Sequence, residues 1–240
     1  MSKIFITGSS DGLGLLAAKD LISKGNEVVF HARNQKRAED IRREVPSAKE
    51  IVIGDLANQK EVSDIAKQVN QIGSMDAVIY NAGISSGNSE LTFKVNVMAP
   101  YLLTALIKFH KRVVYVSSGM HVGSKLDLEN LLTATDYSSS KLQIVILTKL
   151  LARKFPEVVF TAVDPGWVPT KMGDSMATDD LTLGYTTQVW LATLEDKNVS
   201  GEYFHHLKPA HYDARADDDA IQNNFLSKLI EISGVDITEN

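Results

Sequence analysis

The stretch TGSSDGLG at residues 7–14 decides the fold, because it follows a short apolar run and leads directly into a helical pattern. The run IFI occupies residues 4–6. Apolar residues at helical spacing extend from Gly12 to Lys24, and Gly25 ends that pattern. One glycine permits a tight turn, a second lets the backbone approach a pyrophosphate, and a third lets the helix pack closely on the strand. The stretch therefore predicts a dinucleotide-binding turn, and a strand-to-helix turn without a ligand is the alternative.

Beyond this stretch, short apolar runs alternate with helical patterns, which is typical of β-α-β units and of a parallel sheet covered on both faces. We predict strands at residues 4–7, 27–30, 49–53, 76–80, 112–117 and 158–163, and a weaker seventh strand at 202–204. We predict helices at residues 12–24, 34–44, 91–108, 137–154 and 217–233, and one more after a capping-box pattern of Asn58 and Glu61. The predicted fold class is α/β, a Rossmann-type doubly wound parallel sheet of about seven strands with helices on both faces.

The length and composition of the chain limit the classes of function that it can have. The chain has 240 residues, of which 44% are hydrophobic and 23% charged, so we expect a single domain over residues 1–240. Its net charge of -5, without a basic block, argues against nucleic acid and anionic membranes as partners and favours a small molecule. It contains no cysteine, which excludes disulfides, thiolate nucleophiles and cysteine-ligated metals. With no signal peptide and no run of ~20 apolar residues, we expect a soluble, cytoplasmic protein.

The end of the second predicted strand bears on the choice of dinucleotide. An acidic residue there selects a free ribose 2′-hydroxyl, whereas an arginine binds a 2′-phosphate. Here the segment VFHARN at residues 29–34 has no carboxylate. Arg33 can bind a phosphate as a planar bidentate donor, and His31 or Asn34 could assist it. The segment favours NADP(H) over NAD(H), unless Arg33 only begins the next helix as a solvated charge.

Tyr137 and Lys141 are four residues apart on a predicted helix, so their side chains share one face. A phenol has a pKa of ~10, and a nearby ammonium favours the phenolate. Lys141 could thus lower the pKa of Tyr137 enough for proton exchange near neutral pH. A half-buried tyrosine beside a solvated lysine would have the same spacing. At the end of the fifth predicted strand, Ser118 could bind a substrate oxygen whose negative charge grows during a reaction.

These features, taken in their order, resemble the short-chain dehydrogenase/reductase family. The resemblance extends from residue 3 to about residue 170 and rests on the GxxxGxG motif of Gly8, Gly12 and Gly14, the NAG motif at residues 81–83, Asn96, the serine pair at residues 117–118, and the YxxxK motif of Tyr137 and Lys141. A long segment at residues 119–136 is similar to the retinol-dehydrogenase-like branch. The resemblance implies an NADP(H)-dependent oxidoreductase that interconverts a carbonyl and an alcohol, with NAD(H) as the other possible cofactor.

The resemblance also implies roles for individual residues. The catalytic set is Asn96, Ser118, Tyr137 and Lys141. The cofactor-binding set is Gly8, Ser10, Asp11, Gly12, Leu13, Gly14, Arg33, Asn34, Asp55, Leu56, Asn81, Ala82, Gly83, Tyr137, Lys141, Pro165, Gly166, Val168 and Thr170. Of the serine pair, Ser118 is the one that aligns with the family. Asn96 would kink its helix and hold a water in a proton relay, although a hydrogen bond to local backbone is the alternative.

Other features depart from the family or leave alternatives open. NADP-preferring members often have a basic residue inside the glycine loop, where this chain has Asp11. We expect a substrate lid at residues 171–200, in which Met172, Met176, Leu181 and Leu183 line an apolar substrate side or pack a core. The family packs as homodimers or homotetramers through its two long apolar helices, and the C-terminal helix at 217–233 could change that mode.

Two clusters suggest a metal but have simpler explanations. The aspartates at residues 217–219 suit a helix N-terminus, and His205, His206 and His211 suit a loop near a strand end. Two other functions remain open. A non-catalytic dinucleotide sensor could keep the glycine loop, and an epimerase or dehydratase could use the same tyrosine on a nucleotide-sugar.

Overall fold

The computed structural model describes residues 1–108, 111–173 and 176–239. Its strands are β1 Lys3–Ile6, β2 Glu27–Ala32, β3 Glu50–Ile53, β4 Ala77–Tyr80, β5 Arg112–Val116, β6 Val159–Asp164, β7 Tyr203–His205 and β8 Lys208–Pro209. Its α-helices are α1 Gly12–Ser23, α2 Gln35–Glu44, α3 Gln59–Ile72, α4 Ser89–Phe93, α5 Ala99–Leu106, α6 Leu131–Ala134, α7 Tyr137–Lys154, α8 Leu181–Thr193 and α9 Asp219–Ser233. Each predicted strand is present with ends shifted by at most two residues, and β8 is an addition that the sequence pattern did not predict.

The strands form one sheet in the order β3-β2-β1-β4-β5-β6-β7-β8. All neighbouring pairs are parallel except β7 and β8, which form an antiparallel hairpin. The strand order reverses between β1 and β4, and open α/β sheets bind ligands in the crevice that this reversal creates at the carboxyl ends of the strands. The predicted doubly wound fold is confirmed.

Successive side chains of β1 point to opposite faces of the sheet and pack against a helical layer on each face. Phe5 packs in the cluster on the face of α3, α5 and α7, whereas Ile4 and Ile6 pack in the cluster on the face of α1 and α8. All three side chains are buried. The two faces of a strand thus supply two cores, which fixes the height of every strand end relative to its neighbours.

The helix predicted at residues 91–108 is divided. A π-helical turn at Lys94–Met98 separates α4 from α5. Such wide turns occur mostly as local insertions inside α-helices, often at functional sites. The resemblance predicted a kink at Asn96, and Asn96 lies at the centre of this turn.

The C-terminal helix α9 covers α7. Arg153 of α7 donates hydrogen bonds to the side chain of Gln222 in α9, and Tyr101 of α5 donates to the carbonyl of Val235 at 2.7 Å. In α5, every residue except Leu106 is buried. Much of the apolar surface of these helices is thus covered within the chain, and an oligomer contact through the two long helices stays a prediction.

The three aspartates at the start of α9 contact other groups of the same chain. The side chain of Asp218 caps the helix by accepting from the N–H groups of Ala220 and Ile221, while Asp217 and Asp219 lie 3.3 and 3.2 Å from cationic side chains of α7. Negative charge at this position also suits the positive end of the helix dipole.

Residues 181–193 of the predicted lid at 171–200 form helix α8, and Val189 and Leu191 of this helix pack in the core against the sheet. Met172 and Met176 are exposed, and Asp174 and Ser175 lie outside the described residues. The lid stays a prediction. No helix in the described ranges is long and apolar enough to cross a membrane.

Candidate active site

A cavity of about 610 Å³ opens at the carboxyl ends of β1, β2, β4 and β5. Most of the predicted cofactor residues line it: Gly8, Ser10, Asp11, Gly12, Leu13, Arg33, Asp55, Leu56, Asn81, Ala82, Gly83, Tyr137, Lys141, Pro165 and Thr170. Its lining does not include Gly14, Asn34, Asn96, Ser118, Gly166 or Val168, which support the wall from behind or lie beside it. One end of the cavity is basic and the other holds Tyr137.

The glycines of the loop have the geometry that the motif predicted. Gly8 and Gly12 have φ values of 64° and 53°, in the left-handed region that favours glycine. A Cβ on Gly14 would lie 2.6 Å from the carbonyl oxygen of Gly8, so this glycine lets α1 approach β1 closely. Asp11 caps α1 by accepting from the N–H of Gly12 at 2.9 Å. The helix N-terminus faces the cavity, which suits a phosphate.

His31 lies beneath the glycine loop and is almost fully buried. Its Nδ1 accepts from the N–H of Gly8 at 3.0 Å, and its Nε2 lies 2.9 Å from the carbonyl oxygen of Gly54. The two partners require a neutral ring with its proton on Nε2. Both ring nitrogens are therefore occupied, which corrects the expectation that His31 assists Arg33 at a phosphate. Burial lowers the pKa of His31, so the ring stays neutral.

Acidic pH should destabilise this arrangement. Since the pKa of His31 lies below 6.5 in the folded protein, the unfolded chain binds more protons below that pH, and stability falls as the pH decreases. In His31→Asn, the amide oxygen can still accept from Gly8 but does not titrate. Urea denaturation at pH 7 and pH 5 should show wild type losing more stability than this variant. His211→Asn, at an exposed position, is the control, and equal losses for wild type and His31→Asn would contradict the assignment.

The end of the cavity near β2 is formed by cationic side chains. Arg33, Arg37 and Lys171 line it together with Asp11. Asp11 is in contact with Lys171 and lies 3.9 Å from Arg37. The hydrogen bond from Lys171 is the main cause that lowers the pKa of Asp11, and burial opposes it. Asn34 lies outside the lining and caps α2 by accepting from the N–H of Arg37.

Asp55 and Asn81 shape the walls of the cavity. Glu61 accepts from the N–H of Asp55 at 2.8 Å, so the predicted capping box is only half formed, with Asn58 as the cap. The amide of Asn81 donates to the carbonyl of Thr7 at 3.1 Å, and the N–H of Ala82 donates to the Thr7 hydroxyl. These bonds join the end of β4 to the glycine loop.

The pair at the other end of the cavity consists of Tyr137, which is partly buried, and Lys141, which is buried. The side chain of Lys141 is only 4% exposed, and its Nζ donates to the carbonyl of Val116 at 2.8 Å. Nζ lies 5.5 Å from the centre of the Tyr137 ring. A Cβ on Gly83 would lie 3.3 Å from this Nζ, so the glycine leaves room for the lysine. The predicted juxtaposition of Tyr137 and Lys141 is present at the cavity floor.

Burial sets the charges of this pair. It lowers the pKa of Lys141 to about 8, while the Asp164 carboxylate opposes that shift. Burial also raises the pKa of Tyr137, the Ser118 hydroxyl beside it lowers that pKa, and the Asp164 charge raises it. Lys141 is not among the groups that shift the pKa of Tyr137, so the expected lowering is absent and Tyr137 is held as a phenol, a form that can donate a proton.

Two serines follow β5 and differ in their contacts. The Ser117 hydroxyl donates to the carbonyl of Lys141 at 2.9 Å and is buried. Ser118 is partly exposed, and its Oγ accepts a long bond of 3.3 Å from the N–H of Met120 and lies beside the Tyr137 hydroxyl. This difference supports Ser118 as the residue that can turn to a substrate oxygen.

Asn96 joins two elements beside the site. Its Oδ1 accepts from the N–H of Ile84 at 2.8 Å, and its Nδ2 donates to the carbonyl of the same residue and to the Ser140 hydroxyl. The amide therefore binds backbone twelve residues earlier rather than its own turn. It holds the loop after Gly83 against α7.

A model of the short chain dehydrogenase family matches residues 2–181. The chain belongs to the short-chain dehydrogenase family. As a member, this short-chain dehydrogenase is an NAD(P)-dependent oxidoreductase. It is 36% identical over 222 residues to short-chain dehydrogenase chyC of Penicillium rubens, covering 85% of this chain and 86% of that one.

Two further comparisons confirm the resemblance. Human retinol dehydrogenase 13 is 26% identical over 283 aligned residues, covering 97% of this short-chain dehydrogenase and 85% of the relative. The NADPH-bound carbonyl reductase from chicken fatty liver has a TM-score of 0.74 at 21% identity, covering 88% of this chain and 99% of that one. At that identity the carbonyl reductase establishes the fold.

Some lining residues of this short-chain dehydrogenase were not predicted: Arg37, Ala57, Ile84, Leu91, Val95, Val116, Ser117, Lys171 and Met172. Arg37 had a signal, since it follows Arg33 by one helical turn. Lys171 follows the turn that contains Thr170, and only the fold returns it to the glycine loop. Among the described residues, no group of three or more histidine, aspartate or glutamate side chains is arranged to hold a metal.

Proposed function

We propose that this short-chain dehydrogenase interconverts a carbonyl and an alcohol with NADP(H), and that Tyr137 exchanges the proton. The observation that carries the proposal is the pair of partly buried Tyr137 and buried Lys141 in a cavity whose opposite end has two arginines. A dinucleotide fits the residues present. Left-handed glycines and a free helix N-terminus suit a pyrophosphate, and Gly83 leaves space beside Lys141.

The preference for NADP(H) is argued from charge. No carboxylate ends β2, and Arg33 and Arg37 supply planar donors at the place where a 2′-phosphate would bind. Asp11 lies among these cations and partly neutralises Lys171 and Arg37. The NADPH in the carbonyl reductase of the same fold is consistent with this preference.

The protein's own groups supply the proton chemistry. The bound nicotinamide provides or accepts the hydride. Ser118 donates a hydrogen bond to the carbonyl oxygen as negative charge grows there. The Tyr137 hydroxyl transfers its proton to that oxygen in reduction and takes it back in oxidation. Lys141, held by the Val116 carbonyl, places positive charge beside the phenolate that remains.

The direct test combines binding and turnover. Fluorescence titration with NADPH and NADH should show NADPH binding more tightly, and a panel of ketones, aldehydes, quinones and alcohols should include substrates that are turned over. If neither NADPH nor NADH binds, the proposal is overturned. Binding without turnover of any member of the panel would favour a dinucleotide sensor.

Loss of Arg37 should weaken NADPH selectively. A hydrogen bond between charged groups contributes ~1.5–3 kcal/mol, so Arg37→Ala and Arg33→Ala should each raise the Kd for NADPH by about 10- to 100-fold. The Kd for NADH should change by less than about twofold, because NADH has no 2′-phosphate. Arg43→Ala is the matched control, since Arg43 is an exposed arginine of the same helix outside the cavity lining. Equal weakening of both cofactors would show that the arginines do not read the phosphate.

A further inference from the structure

Asp164 and His205 form a pair beside the catalytic centre that the mechanism above does not use. They lie opposite each other at the ends of β6 and β7, and His205 Nδ1 is 3.3 Å from both Asp164 Oδ2 and the main-chain carbonyl oxygen of Asp164. The other carboxylate oxygen, Oδ1, accepts from the N–H of Gly166 at 2.9 Å. One oxygen is thus fixed by the turn, and the second has an imidazole beside it.

The carboxylate lies directly against the end of β5. A Cβ placed on Gly119 would be 3.0 Å from Asp164 Oδ2, and its neighbours within 4 Å belong to Asp164 alone. Gly119 is the residue after Ser118, so Asp164 Oδ2 borders the group that we assign to the substrate oxygen. The negative charge also raises the pKa of Tyr137, which shows that its field reaches the reacting hydroxyl.

A second tyrosine stands beside this carboxylate. Tyr203, in β7, is 2% exposed, and its hydroxyl has no hydrogen-bond partner among the residues that the structure describes. Burial and then the charges of Asp164 and Tyr137 raise its pKa, so the three groups lie within electrostatic reach of one another. A buried hydroxyl without a partner is costly and calls for an explanation, and an absent ligand is one such explanation.

The backbone that follows His205 is strained. His206 and Leu207 have φ values of 46° and 67°, in the left-handed region, where hairpin turns normally have asparagine and glycine. The His206 ring stacks on the His205 ring with centroids 3.7 Å apart, and its Nε2 is 3.2 Å from the carbonyl oxygen of Pro165. Strain of this kind persists where the surroundings fix the conformation, often at ligand sites. Here it holds the His205 ring against Asp164.

We propose that Asp164, oriented by His205, binds a hydroxyl or N–H group of the substrate next to the carbonyl that Ser118 and Tyr137 hold. An ionised carboxylate only accepts hydrogen bonds, so it selects substrates with a donor at this position. The preferred substrates are then α-hydroxy or α-amino carbonyl compounds rather than simple ketones. This inference rests on the proposed function, because it assigns the substrate class of that same site.

A matched pair of probes tests the inference. Wild type should reduce 2-hydroxyacetophenone with a kcat/KM about 10-fold higher than that for acetophenone. Asp164→Asn keeps the shape and an oxygen for Gly166 but loses the charge. That charge also acts on Tyr137 and Lys141, an effect common to both ketones, so the readout is the ratio of the two kcat/KM values. The ratio of hydroxy ketone to acetophenone should fall by about 10-fold. Glu202→Gln, at an exposed position beside β7, removes a charge of the same sign and should alter neither value.

A second variant tests the inference if Asp164→Asn fails to fold, and a second measurement tests it if both ketones are poor substrates. Gly119→Ala keeps the Asp164 side chain but displaces it, and it should reduce the discrimination by about threefold. Calorimetry on the complex with NADP should show 1-phenyl-1,2-ethanediol binding about 10-fold more weakly to Asp164→Asn than to wild type, while 1-phenylethanol binds both equally.

The outcomes separate the two proposals. Equal losses on both ketones and equal losses of affinity for both alcohols would mean that Asp164 only supports the turn, which overturns this inference and leaves the proposed function intact. A wild type with no preference within either pair also overturns it. Failure of wild type to turn over any carbonyl or alcohol in the panel overturns the proposed function, and this inference with it.

Discussion

Replacement of Lys141 by methionine is expected to stabilise the folded protein at pH 7 by about 2 kcal/mol while reducing turnover by about 100-fold or more. The folded pKa of about 8 lies below the ordinary value of 10.5 because the ammonium is buried. At ~1.4 kcal/mol per pKa unit, the charged lysine costs about 3 kcal/mol at neutral pH. Loss of its hydrogen bond to Val116 offsets about 1 kcal/mol of the gain.

The pH dependence fixes the sign of this effect. A lysine whose pKa is lower in the folded state destabilises the fold fully below the folded pKa, and the penalty disappears as the pH rises from about 8 to 10.5. Urea denaturation should therefore show the advantage of Lys141→Met shrinking by about 1.5 kcal/mol between pH 7 and pH 9.5. Lys149→Met is the control on the same helix, since hydrogen bonding to Tyr212 and the charge of Asp217 raise the Lys149 pKa despite burial. That variant should gain no stability. A Lys141→Met protein less stable than wild type at pH 7 would contradict the burial argument.

Replacement of Tyr137 by phenylalanine is expected to lower kcat by about 10³-fold on every substrate, because general acid catalysis contributes ~10²- to 10⁴-fold. The ring lies at the floor of the cavity, so its loss of one oxygen should leave the Kd for NADPH within about twofold. Stopped-flow absorbance at 340 nm in single turnovers should show the loss in the chemical step itself. Tyr185→Phe, a partly buried tyrosine of α8 outside the cavity lining, is the control. A Tyr137→Phe enzyme that retains most of its kcat would mean that another group supplies the proton.

The sequence predicted the parts of this molecule that depend on local spacing. Short apolar runs placed the strands, the helical periodicity placed the helices, and Gly8, Gly12 and Gly14 marked the cofactor turn because only glycine suits their geometry. Tyr137 and Lys141 were predictable because one helical turn fixes their separation. Their pKa directions were not predictable, since burial, the largest cause of both shifts, appears only in the folded chain.

Contacts between residues that are far apart along the chain could not be predicted from the sequence. His31 was placed at a phosphate because it precedes Arg33, but its ring turns under the loop and binds Gly8 and Gly54. Glu61 matched a capping box and instead binds the N–H of Asp55. In each case a side chain had two possible partners, and the choice depended on which strand ends lie next to each other.

The packing of α9 over α7 affects how the environment of α7 depends on protein concentration. In many assemblies a buried helix is supported by a second copy, so its environment depends on protein concentration through mass action. Here the supports of α7, such as Gln222 and Asp219, belong to the same chain. The packing of α9 on the helix that carries Tyr137 and Lys141 is therefore intramolecular, and this contact does not weaken when the protein is diluted.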